Sequence, residues 1–314
     1  MNNRLTIISI CTVVLLLGLS SGCSRQEQEG WTDGTGDNRP VALRIGGVSA
    51  GAVVTRSQST LLNSPGDKIS LFLQGSAGYA PIRNREFTYS TPFWTSPEGL
   101  VMLTDRPASL AASYPYREGQ TATQDLRTQE YAPQDDFLYC RFAANKRDAS
   151  VVLNMHRAYA RLCFRLSPQT GDNAYTGEGI IDEFRFTAGG IVLRAQLDLF
   201  TGVLTGEAPQ ADYTFVSVKN RGKRFTVADP LEVAFLAVPA VLAGDITVEA
   251  VIDGKHVGTS VSATRLCGVT GRMVPGTSYD INIVMNPSGM TSGEVSAQQW
   301  TEFPVRGTGD YEME

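Results

Sequence analysis

The residues that could carry chemistry are few and scattered. Gly47-Val48-Ser49-Ala50-Gly51 fits G-x-S-x-G, the pattern of a nucleophile elbow, where a serine on a tight strand-to-helix turn holds its hydroxyl out beside an oxyanion hole. An apolar run precedes it, as the elbow requires. Ala52-Val53-Val54-Thr55 follows, and its β-branched residues disfavour the helix that must come next. Ser49 is therefore read as part of a strand-end turn. Only two histidines exist, His156 and His256. A general base must reach the proton it takes, and neither histidine has a nucleophile or acid near it in sequence. Asp135-Asp136 and Asp182-Glu183 are adjacent carboxylates. On a strand, neighbours point to opposite faces, so they suit shared acid–base work poorly. Asp33–Asn38 has calcium-loop composition without the loop spacing. Cys140, Cys163 and Cys267 match no zinc pattern, and three thiols allow at most one disulfide. Phosphate-loop and dinucleotide motifs are missing. The expectation is no catalytic residue, no metal and no cofactor.

The elements that would have to position any site are strands. In Tyr159–Leu166, Ala160, Leu162, Phe164 and Leu166 share one face and Arg161, Cys163 and Arg165 the other. Leu193–Leu199 and Asp280–Met285 alternate in the same way, which means half-buried, antiparallel strands. Similar runs are Val41–Ile45, Lys68–Leu73, Leu100–Leu103, Ser150–Met155, Asp182–Phe186, Leu231–Val238 and Asp245–Ile252. Asp253-Gly254 predicts a two-residue hairpin turn before His256–Val261. No amphipathic helix of about ten residues is evident. Many short strands separated by turn residues predict an all-β chain of tandem antiparallel β-sandwich domains.

The 314 residues are long enough for about two domains. Gly119–Gln134 is polar and turn-rich and Ala143–Asp148 is charged, which places a boundary near Asn145–Ser150. The division is then 41–147 and 148–314. A net charge of −5, from 27 basic and 32 acidic residues, gives no pull toward nucleic acid.

The amino terminus is an address. Arg4 precedes the apolar run Leu5–Leu19, too short to span a bilayer comfortably and suited to a signal h-region. Ser20-Ser21-Gly22-Cys23 then resembles a bacterial lipoprotein cleavage box, with its Leu one place early. Residues 1–22 are read as the signal and Cys23 as the lipidated residue. An acyl chain there would anchor the protein with no membrane helix. Residues 23–40 are polar and Gly-rich and read as a flexible tether, about 20 Å in r.m.s. reach.

Several phrases, in order along nearly the whole chain, resemble the fimbrillin-like lipoproteins, the subunits and anchors of type V pili. They are Val53-Val54-Thr55-Arg56-Ser57 ahead of Gly66-Asp67-Lys68-Ile69-Ser70-Leu71-Phe72, then Ala111–Tyr116, His156–Phe164, Phe235–Ala240, and Gly276–Ile283 followed by Trp300-Thr301. The resemblance implies two tandem sandwiches, the second transthyretin-like. It implies a lipoprotein of the outer membrane, exposed at the surface, or part of a fimbrium once polymerised. For shaft subunits it implies cleavage after an arginine and insertion of a neighbour's strand into the opened groove. Carried onto this sequence, Val41–Val48 is the removable strand and Arg56 the cleaved arginine. Gly293–Val305 is the donor strand, led by Val295, Ala297, Phe303 and Val305. The partners implied are other pilus subunits, the outer membrane through the lipid on Cys23, and a host or bacterial surface ligand. The competing reading is a monomeric outer-membrane surface lipoprotein that binds glycan or protein, with Tyr79, Phe93, Trp94, Tyr114 and Tyr116 as candidate stacking rings.

Overall fold

The computed structural model describes residues 39–50 and 60–301. Residues 1–38, which hold the signal, Cys23 and all of the tether but its last two residues, lie outside the described residues, as do Arg56, Phe303 and Val305. In chain order the strands of the first half are β1 (Val41–Ala42), β2 (Arg44–Ala50), β3 (Thr60–Leu61), β4 (Lys68–Leu73), β5 (Ile82–Ser90), β6 (Phe93–Thr95), β7 (Met102–Leu103), β8 (Ala108–Tyr114), β9 (Thr123–Arg127), β10 (Gln129–Glu130), β11 (Leu138–Ala144) and β12 (Ser150–Arg157). The second half holds β13 (Ala160–Pro168), β14 (Ile181–Gly189), β15 (Arg194–Asp198), β16 (Leu204–Gly206), β17 (Tyr213–Ser217), β18 (Leu231–Ala237), β19 (Ala243–Ile252), β20 (Lys255–Ser262), a one-turn helix α1 (Ala263–Cys267), β21 (Thr277–Asn286) and β22 (Gly289–Gln299).

An eight-stranded sheet runs in the order β3-β2-β12-β11-β8-β4-β5-β6, beside a small β1-β7 ladder. Its inward residues, among them Ile45, Val48, Ile69, Leu71, Leu110, Leu138, Leu153 and Met155, form one core. The second core lies between a five-stranded sheet, β10-β18-β13-β21-β22, and a four-stranded one, β17-β14-β19-β20. Aromatic rings join these two sheets. Phe186 of β14 stands 5.0 Å from Phe164 of β13 and 4.8 Å from Phe235 of β18, within the range where aromatic pairs attract. A three-stranded sheet, β16-β15-β9, flanks this core. The fold is thus all-β and sandwich-like. Among the described residues its pairing is antiparallel except for β2–β12 and β13–β21, which are parallel.

Most alternating runs form strands within two or three residues of their expected ends. Asp253 and Gly254 both take positive φ, 51° and 74°, in the turn between β19 and β20, the backbone that Asp-Gly favours. Gly119–Gln134, expected as a turn-rich connection, instead contains β9 and β10, and these join sheets of the second half. Leu126 is buried there, and the Thr128 hydroxyl donates to Val192 O at 2.7 Å and accepts from Val238 N at 3.0 Å. Such partners, more than sixty residues away, leave no trace in local periodicity. Ser150–Arg157, which the sequence places at the head of the second domain, pairs with β2 and β11 in the first sheet. The described residues fall within one compact unit.

Candidate functional site

The segment Val41–Ala50 threads between strands that are remote in sequence. Val41 and Ala42 pair with Leu103 and Met102 of β7. The Leu43 amide donates to Val101 O at 2.8 Å, and the Arg44 amide donates to Ala149 O at 2.7 Å. β2 then runs parallel to β12, from Arg44 beside Ser150 to Ala50 beside Met155. Its other edge meets β3 and accepts the Leu62 amide at Val48 O, 2.8 Å. The register steps between Val151 and Val152, opposite Ile45 and Gly47, so Gly46 is the extra residue of a bulge. The step shifts the phase of the buried apolar side chains, Leu43, Ile45, Val48 and Ala50, so they do not alternate strictly. All four are at most 5% exposed. Each large apolar side chain so buried contributes about 1.5–3 kcal/mol.

Polar groups fix this seat. Asn63 Oδ1 accepts from the Val48 amide and from Trp94 Nε1, both at 3.2 Å. The Ser49 hydroxyl donates to Asn154 Oδ1 at 2.6 Å and is buried in an unbroken strand. Ser49 is thus a buried member of β2, with its hydroxyl tied to β12 and not held out on a tight turn. His156 lies on β12 opposite Tyr139 and His256 on β20 opposite Val251, each in a ladder. Asp182 Oδ2 caps the Gly254 amide, and Glu183 pairs with Arg185 at 3.4 Å. Among the described residues no cluster of three or more His, Cys, Asp or Glu could hold a metal. Cys140, Cys163 and Cys267 are free thiols. Burial pushes Cys140 and Cys163 up to about 12, with the Glu232 charge adding to the rise at Cys163, and pushes Cys267 up to about 11.

Of the proposed donor residues, Val295 and Ala297 lie in β22, paired with Ile281 and Tyr279 of the chain's own sheet. Val295 packs on the second core and Ala297 is exposed. β22 ends at a knot of side chains. Arg157, the last residue of β12, binds buried Asp136 at 2.8 Å, donates to Trp300 O, and lays its guanidinium over the Trp300 ring at 4.1 Å. The Trp300 amide donates to Gly276 O at 2.8 Å, and Tyr131 meets the indole edge-on at 5.6 Å. Burial pushes the Asp136 carboxyl up, opposed by the Arg157 charge and hydrogen bond. A cavity of about 330 Å³ opens beside His156, Arg157, Gly276 and Trp300. The chain's exit beyond Trp300 is therefore fixed against Arg157, two residues past the β12 position that faces Ala50. No sequence pattern announces this knot, because its partners are 21 and 143 residues apart. Of the five candidate stacking rings, Trp94 and Tyr114 are buried in the first core, and Tyr79 is tied through its hydroxyl to Arg106 O at 2.7 Å. Phe93 alone among them is largely exposed.

Comparison with known proteins places this architecture. No curated protein matches the chain significantly. Among solved structures, a Bacteroides uniformis protein provisionally assigned to cell adhesion superposes with a TM-score of 0.58 at 16% identity, over 83% of this chain and 98% of its own. A second such protein, from Bacteroides ovatus, gives a TM-score of 0.59 at 11% identity with the same coverage. At these identities the likeness is one of fold. The model of the fimbrillin-like family matches residues 55–300, ending at the anchored tryptophan, and the chain belongs to the fimbrillin-like family.

Proposed function

We propose that the chain is a structural subunit, anchor or tip adhesin of a type V pilus, carried to the outer membrane by a lipid on Cys23 and assembled by strand exchange after cleavage at Arg56. The observation that carries this reading is the seat of Val41–Ala50. A short terminal segment supplies four buried side chains to the first core and pairs with β7, β12 and β3. Its loss would leave the β7 and β12 edges unpaired and uncover core residues such as Leu103, Leu153 and Met155. Unpaired edges over an exposed core invite an incoming strand, which gains main-chain hydrogen bonds and fills side-chain pockets.

The incoming strand comes from residues beyond Trp300. Val295 and Ala297 are already paired inside the subunit, so they frame the donor and do not form it. Phe303, Val305, Tyr311 and Met313 occupy odd positions, while Arg306, Thr308, Asp310, Glu312 and Glu314 occupy even ones. One apolar face and one polar face suit a groove open to solvent on one side. Pro304 removes one ladder donor and falls on the polar face.

Limited digestion of the purified chain with a trypsin-like protease tests the proposal. One early cut at Arg56 and then SDS-resistant ladders are expected. A chain ending at Thr301 keeps β22 and the tryptophan anchor, so it should be cut and stay monomeric. Failure of the cut chain to assemble, or ladders unaffected by that truncation, would overturn the strand-exchange reading. Cys23→Ala should release the protein from membranes, and continued membrane attachment would refute the lipid anchor.

A further inference from the structure

The sheet β16-β15-β9 carries an exposed polar face. Leu126, Ala195 and Leu197 turn inward, at most 4% exposed, so Asp125, Arg127, Arg194 and Gln196 turn outward. In the ladder register Arg127 stands directly opposite Arg194, and Asp125 directly opposite Gln196. Gln196 in turn faces Thr205, and the Glu207 amide donates to Arg194 O at 2.9 Å. Directly opposed residues hold their Cβ atoms about 5 Å apart, and like charges so placed repel. Some arginines of the molecule do have carboxylate partners, among them Arg157 with Asp136, Arg161 with Glu232 and Arg185 with Glu249. Among the described residues neither Arg127 nor Arg194 has a carboxylate within salt-bridge reach. A concavity of about 370 Å³ lies over this row.

We propose that this face is a binding site for a carboxylated sugar, a uronic-acid-type residue of a glycan. Both arginines line the concavity, and one carboxylate placed between them would offset their mutual repulsion and take charge-assisted hydrogen bonds. Gln196 and Thr205 supply donors and acceptors for ring hydroxyls. Asp125 and Glu207 accept hydroxyl protons and repel densely charged polyanions, so the site favours one carboxylate set among hydroxyls over sulfate clusters or nucleic acid. The site lies in β9, β15 and β16, apart from the seat of β2, and it stands whether or not the chain polymerises.

Titration of the full chain with glucuronate, glucose and acetate, followed by calorimetry and amide NMR at low salt, decides the matter. Glucuronate should bind at least about tenfold more tightly than glucose, which lacks the carboxylate, or acetate, which lacks the ring. Its shift changes should centre on residues 123–127 and 194–207. Arg127→Gln and Arg194→Gln should each weaken binding about tenfold without lowering the unfolding midpoint, since both side chains are exposed and each replacement removes a like-charge contact. Arg185→Gln, on another sheet, should bind as the parent does. Acetate binding as well as glucuronate would reduce the site to a bare anion patch and overturn the proposal. Glucose binding as well, unaltered affinity in both arginine variants, or shift changes elsewhere would also overturn it.

Discussion

Arg157 joins three parts of the chain at one point: the end of β12, Asp136 in the connection that returns from β10, and Trp300 at the end of β22. A buried pair of this kind adds little net stability, but removing one partner strands the other. Arg157→Ala should therefore cost roughly 3–5 kcal/mol in urea unfolding, while Asp136→Leu combined with Arg157→Met should recover most of it. The Asp253 turn gives a pH dependence. Burial would push its carboxyl up, but the Tyr175 hydroxyl and the Gly179 and Ile180 amides, at 3.0 and 2.9 Å, outweigh it and hold the group below the usual carboxylate range. A lowered carboxylate contributes stability that is present at neutral pH and lost as pH falls through the lowered value. Asp253→Asn, which keeps a residue tolerant of φ 51°, should flatten that acid limb while the hairpin still forms, as pH-dependent melting would show. Of these groups the Asp-Gly turn was legible from neighbouring residues alone, whereas nothing near Asp136, Arg157 or Trp300 in sequence pointed to their meeting.

Strands with one wet face were the legible elements, because alternation records burial directly. Asp245–Ile252 and Ser150–Met155 read as strands for that reason and form them. Among the longer strands, β5, β8, β9, β11 and β17 were not read from alternation: β5 and β9 hold one buried hydrophobic residue each, Phe87 and Leu126, and β8 is buried almost throughout. β2 was read as alternating only to Ile45, because the bulge at Gly46 shifts the phase that follows. β2 is held by three buried apolar side chains, Ile45, Val48 and Ala50, and by its ladders with β12 and β3. Ile45→Ala should cost about 2–5 kcal/mol, and hydrogen exchange should show β2 amides opening ahead of those in β4, β8 and β11. Equal protection across the sheet would show that β2 is not a separately opening element.

Across the whole molecule, composition and turn spacing made the all-β class and the presence of two cores readable. The way the chain divides between the cores was not readable. Residues 123–130 leave the first half to pair with β15 and β18, and β11 and β12 then return before β13 begins the second sandwich. That excursion ties the halves through Leu126, Phe137 and the Arg157 knot. A truncation at residue 147 should consequently fail to fold independently, because it lacks β12, the strand that pairs with both β2 and β11. Fragment circular dichroism and melting would show this, and a cooperative transition in residues 1–147 would argue against the shared architecture.

The central claim is that the groove filled by Val41–Ala50 accepts the segment beyond Trp300 once the first segment is cut free. A labelled peptide of residues 302–314, added to the Thr301-truncated chain before and after cleavage at Arg56, measures this directly. The account predicts saturable binding to the cleaved chain alone, with displacement of the released amino-terminal fragment. Absence of binding after cleavage, or equal binding to the uncut chain, would contradict it.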